Sequence, residues 1–150
     1  MNMSTKLIHR VAAMMAFFMI LVFFSSTLLV EIAGSKQSIL EVKRAISYAI
    51  FLLIPTMAIV GITGSKMAGS SQHPTLVAKK KRTPIIALNG LLILTPSAFY
   101  LYHLAEQDQF NNIFYAVQAL ELIAGLVNLS LMGLNIRDGI AMSKRRSLAR

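Results

Sequence analysis

Four apolar blocks, each about 20 residues long, leave this chain few ways to fold, because each is long enough to cross about 30 Å of hydrocarbon as a helix. They occupy residues 11–30, 45–64, 84–105 and 113–136 of a 150-residue sequence. The first two hold no Asp, Glu, Lys, Arg or His, the third only His103 and the fourth only Glu121. With 55% hydrophobic and 14% charged residues and a mean hydropathy of +0.62, the chain lacks the polar surface of a water-soluble domain. The reading is an all-α integral membrane four-helix bundle, a single domain with loops too short for a second. The longest loop is expected at about residues 65–83.

The first block follows Lys6, His9 and Arg10 and so resembles the start of a signal peptide. Its uncharged run of 20 residues exceeds the 7 to 15 of a cleavable signal, and three similar blocks follow, so it reads as a retained helix. Pro55 and Pro96 fall inside blocks and predict kinks, since neighbouring helices can satisfy the carbonyls they free. Pro84 opens the third block, where a missing N–H costs little.

Twelve of the fifteen lysines and arginines fall at the N-terminus, between the second and third blocks, and at the C-terminus. Lys36, Lys43 and Arg44 are assigned to the other side. Lysine and arginine bias towards the cytoplasm predicts both termini inside, in a bacterial inner membrane. The run Lys79-Lys80-Lys81-Arg82 then reads as an orienting and lipid-contacting segment. It lacks the interleaved aromatics of a nucleic-acid-binding surface, and no nucleic acid is expected.

Cysteine is absent, which excludes thiol catalysis, disulfides and thiolate-held metals. No HExxH, GxSxG or glycine-rich phosphate motif occurs, so no catalytic residue is assigned. The methionines read as packing rather than as a copper site, which needs several convergent sulfurs.

Polar residues define two stripes. Gln118, Glu121, Gly125, Asn128, Met132 and Asn135 recur on the fourth block at steps of three and four, as do Asn89, Ile93, Pro96, Tyr100, His103 and Gln107 on the third. Such spacing places each set on one helix face. A hairpin register centred between Asp108 and Gln109 brings Asn89 level with Asn128, Tyr100 near Gln118 and Pro96 level with Glu121. An Asn89–Asn128 amide pair follows as structural glue. The same register separates His103 from Glu121 by about 10 Å in depth. His103 is expected near the outer surface, within reach of Glu31 and Glu106.

Glu121 is the one acid within a predicted span, with no basic partner assigned at its depth. It is expected to be protonated at rest, serving as a proton carrier or ligand partner, or bonded structurally to Tyr48, Ser97, Tyr100 or Gln118. His9, where the first helix enters the membrane, reads as an interfacial residue or an axial haem ligand, with Arg10 neutralising a propionate. His73 is its one possible partner on that side. His103 serves only a separate outer site. Phe17-Phe18 and Phe23-Phe24 offer flat walls to porphyrin, quinone or lipid alike.

The segments Phe114-Tyr-Ala-Val-Gln-Ala-Leu-Glu-Leu-Ile-Ala-Gly, Leu131-Met-Gly-Leu-Asn-Ile-Arg-Asp-Gly139 and Asn89-Gly90-Leu91-Leu92 resemble small four-span bacterial inner-membrane proteins. A looser similarity of architecture connects them with dimeric b-type haem membrane proteins. The b561-type cytochromes differ in placing histidines deep within several helices. The resemblance implies a homodimeric haem b protein for electron transfer or for sensing haem, redox state or gas, with a redox partner or quinone. The alternative is a non-enzymatic carrier or accessory subunit built on the polar seam around Glu121. The halves show no internal repeat, which counts against an inverted-repeat transporter.

Overall fold

The computed structural model describes residues 3–69 and 72–148, with the side chains of Arg145 and Arg146 and all of Arg150 outside the described residues. Helix α1 spans Met3–Ala33 and α2 spans Lys36–Ala68. A third rod joins α3 (Pro74–Asn89), one π-helical segment (Gly90–Leu94) and α4 (Thr95–Glu106), and α5 runs over Asn112–Leu148. Each of the four rods is long and apolar enough to cross a membrane. All extend beyond the apolar blocks, because helical hydrogen bonding continues into polar flanks where hydropathy falls.

The turns are short for local reasons. Gly34 and Ser35 join α1 to α2. A Cβ at Gly34 would lie 2.6 Å from the Val30 carbonyl oxygen, and the Ser35 hydroxyl accepts from the Ser38 N–H at 3.2 Å. Asn111 caps α5, its side-chain oxygen accepting from the N–H groups of Ile113 and Phe114. Between α2 and α3 the expected long loop is mostly helix. Pro74 takes the tolerated first position behind the His73 cap, so α3 begins ten residues before Pro84 and makes Lys79 to Arg82 helical.

Around the bundle, α1 packs on α2 and α5, α4 packs on the same two, and α3 packs chiefly on α5. Helices α2 and α5 are therefore diagonal, facing one another across the middle. Small apolar clusters fill the interior at three levels: Ala16 with Ile20, Ile86 and Met132; Ile46 with Ile50 and Ala98; and Ile39 with Leu101, Leu104 and Phe114. Outer faces carry Ile32, Phe51, Leu92, Ile123 and Ile140, all more than half exposed. An apolar outside around a partly polar inside reverses the pattern of a water-soluble bundle.

The stripe on α5 faces inward as its spacing implies, with Gln118, Gly125, Asn128 and Met132 buried. The stripe on the third rod does so only at Asn89. Beyond it Ile93, Pro96, Tyr100, His103 and Gln107 are exposed, while Ser97, Ala98, Leu101, Leu104 and Ala105 turn inward. The π segment causes this correction. Pro96 has no N–H to donate and its ring crowds the carbonyl four residues back, and a wider turn just before it relieves both. The Thr95 N–H and hydroxyl both donate to the Gly90 carbonyl, closing that turn. One extra residue per turn rotates the following helix face by about 100°.

The Asn89 side-chain amide donates to Asn128 Oδ1 and to the Ala124 carbonyl, both at 2.8 Å, and Asn128 donates to the Ile86 carbonyl at 3.3 Å. The amide pair expected from the hairpin register is thus present, locked to backbone on both rods. Asn89→Ala is expected to lower stability by about 1 kcal/mol, read as a shifted unfolding midpoint in mixed micelles.

Candidate functional site: a buried charge cluster

Residues Ile39, Lys43, Ile46 and Ile50 lie at steps of four, three and four along α2, and all are buried. A lysine on that stripe points into the bundle. Its side chain is 0% exposed, and Nζ donates across the diagonal to Glu121 Oε2 at 2.5 Å. The same oxygen accepts from Gln118 Nε2 at 2.9 Å. Glu31, in the last turn of α1, is near enough for the charges of Lys43 and Glu121 to act on it but makes no ion pair with Lys43.

This arrangement corrects three expectations. Glu121 has a basic partner, so it is held as one half of an ion pair rather than as an isolated acid. Tyr48 (67% exposed) and Tyr100 (44% exposed) face outward and are not its partners, whereas Gln118 is. Glu31 turns to the cluster rather than to His103, whose Nε2 lies 3.1 Å from Gln107 Nε2 at the exposed end of α4.

Lys43 was missed because Lys43-Arg44 beside an apolar block reads as a flanking charge pair. The two differ in fate. Arg44 stays outside with Glu41, while Lys43 falls on the Ile39–Ile46–Ile50 stripe. That stripe is the signal that separates them.

Among the described residues Lys43 pairs with Glu121 alone, and two buried oxygens have no hydrogen-bond partner, Glu31 Oε1 and Gln118 Oε1. A buried ion pair gains little net stability over apolar packing, since desolvation offsets most of the attraction. Buried acceptors without donors add a further cost. The cluster is thus an expensive feature, short of one proton or one donor.

Next to it lies a cavity of about 510 Å³, within the usual range for small-ligand sites. All four rods line it, with Glu121 and Asn128 among mostly apolar walls. Gly61, Gly90 and Gly125 contribute to its space, each lacking a side chain to fill it.

The histidines occupy three separate settings. His9 Nδ1 lies 2.9 Å from the Thr63 hydroxyl, with its ring against Gly64. His73 caps α3, Nδ1 accepting from the Thr75 N–H at 3.3 Å, and His103 lies at the opposite end. Arg10 is exposed. No histidine lines the cavity, and among the described residues no three His, Asp or Glu side chains converge to hold a metal ion.

At the end shared by His9 and the basic segments, Arg82 donates to Asp138 Oδ2 at 2.7 Å and lies 3.5 Å from Asn135 Oδ1. That ion pair ties α3 to α5 where both leave the apolar region.

Comparison of the chain with protein-family models, with curated proteins and with solved structures gives no match.

Proposed function

We propose that the chain is a proton-linked membrane carrier without enzymatic activity, lying in a bacterial inner membrane with both termini cytoplasmic. The observation that carries this reading is the ion pair of Lys43 with Glu121 inside the bundle, beside a cavity that Glu121 lines, with the buried Glu31 Oε1 lacking a hydrogen-bond partner among the described residues. The apolar outer belt supports insertion, and the concentration of lysine and arginine at one end supports the orientation. Intramembrane ionisable groups of this kind mark proton and substrate pathways.

In the proposed cycle Lys43 first pairs with Glu121 while Glu31 carries the transferable proton. Protonation turns the orphaned Glu31 Oε1 into a hydroxyl donor, and Gln118 Oε1 is the other buried acceptor that lacks one. When the proton passes from Glu31 to Glu121, the Lys43 ammonium turns to the Glu31 carboxylate. Charge in the cluster is unchanged, and its proton now faces the cavity. Haem plays no part in this scheme.

The test is proton flux into proteoliposomes carrying a trapped pH dye, driven by a potassium diffusion potential. The purified protein is expected to conduct above protein-free vesicles, with Glu31→Gln and Glu121→Gln each lowering the rate by about a hundredfold, the scale of losing one proton-transfer group. Native flux equal to empty vesicles, or unchanged flux in both variants, sinks the reading.

A further inference from the structure

The cavity beside Glu121 shows what kind of molecule the site takes. Its walls are apolar over most of their area, its few polar groups include Glu121 and Thr27, and its glycines leave open volume. Five of its lining residues, Ile54, Ala58 and Ile62 on α2 with Ala87 and Leu91 on the third rod, are exposed on the outer surface. The cavity therefore opens sideways, between α2 and α3, through the apolar belt. A molecule entering by this route comes from the hydrocarbon layer rather than from water.

The polar end of the cavity is chemically one-sided. Glu121 Oε2 already accepts from Lys43 and Gln118, while Glu121 Oε1 accepts from no described residue. Asn128 has both ends of its amide engaged, with Asn89 and with the Ile86 carbonyl. Before the proton reaches Glu121 the open position is an acceptor, so the head group that matches this state is a donor.

We infer that this cavity binds a membrane-dissolved amphiphile with an apolar body and a hydrogen-bond-donating head, a hydroxyl or an amine, which meets Glu121 Oε1. The inference names the substrate class of the proposed carrier and rests on the reading that the helices lie in a bilayer. The apolar body occupies the space left by Gly61 and Gly90, and the head lies within reach of the Glu31–Lys43–Glu121 protons.

Three photoreactive probes with one diazirine-bearing alkyl chain, ending in a hydroxyl, an amine or a methyl ether, separate the possibilities. Protein in lipid nanodiscs is irradiated with each, and labelled residues are located by mass spectrometry. A donor-headed probe is expected to label cavity residues such as Phe24 and Leu94 saturably, and excess unlabelled alcohol or amine of the same chain to displace it. The ether should label there about tenfold less, the cost of one hydrogen bond to a charged acceptor. Preference for the alcohol over the amine, or the reverse, assigns the head group.

A Cβ at Gly61 meets no atom within 4 Å, so Gly61→Phe projects into open cavity space and should abolish the labelling. Gly133 is equally uncrowded but lies outside the lining, so Gly133→Phe should label as the native protein does. Equal labelling by alcohol and ether, or labels spread over the outer belt, overturns the inference, and both readings need only the native protein. Specific labelling without proton flux upholds the cavity and removes its link to protons. Flux without specific labelling does the opposite.

Discussion

Lys43→Met is expected to destabilise the bundle by about 3 kcal/mol, while Lys43→Met with Glu121→Met returns stability to within about 1 kcal/mol of the native protein or above it. The single change removes the one ammonium within reach of Glu121 Oε2 and leaves that carboxyl group buried at the middle of the diagonal. Gln118 Nε2 remains as its donor, which limits the loss. The double change removes both charges and replaces them with flexible side chains that pack beside Ile46 and Ala98. Chemical unfolding in mixed micelles reads both. A double variant as unstable as the single one means that the pair holds the bundle together and needs no functional explanation. A stable double variant that conducts no protons separates the cluster's work from its packing.

Phe114→Ala is expected to cost about 3 kcal/mol, the low end for deleting a buried phenylalanine. Phe114 is 0% exposed and joins Ile39 of α2 to Leu101, Leu104 and Ala105 of α4, with Phe110 edge-on at 4.9 Å between ring centroids. The low end applies because apolar side chains gain less from leaving lipid than from leaving water, so the lost packing dominates. Alanine at this position also loosens the first turn of α5, four residues before Gln118. Unfolding should shift while the Lys43–Glu121 pair keeps its partners, so proton flux per folded molecule falls by less than about twofold. A variant that stays fully stable contradicts the packing described for this end of the bundle.

The parts of this architecture legible in the sequence are those set by length and spacing. Four blocks of bilayer-spanning length gave four rods, and the step pattern from Gln118 to Met132 placed the inward face of α5. The short Glu106–Asn112 connection brought Asn89 opposite Asn128. What escaped the reading was governed by tertiary context. The π segment before Pro96 turns Tyr100 away from Gln118, and periodicity taken as uniform cannot register an inserted residue. Lys43 escaped because hydropathy treats any lysine as a boundary. A long side chain on an apolar stripe can carry its ammonium to a carboxylate two helices away, and that choice depends on Glu121 being there. The histidines stand in three separate settings, which no spacing in the sequence could have told apart.

The most direct measurement is infrared spectroscopy of the protein in bilayers with isotopically labelled glutamate, comparing native, Glu31→Gln and Glu121→Gln proteins across pH. Four glutamates contribute, of which Glu41 and Glu106 are exposed and Glu31 and Glu121 are not. The proposed carrier requires a protonated carboxyl signal that is absent in Glu31→Gln. No protonated carboxyl signal in the native protein, or one that survives Glu31→Gln, would contradict a transferable proton on Glu31 beside the Lys43–Glu121 pair.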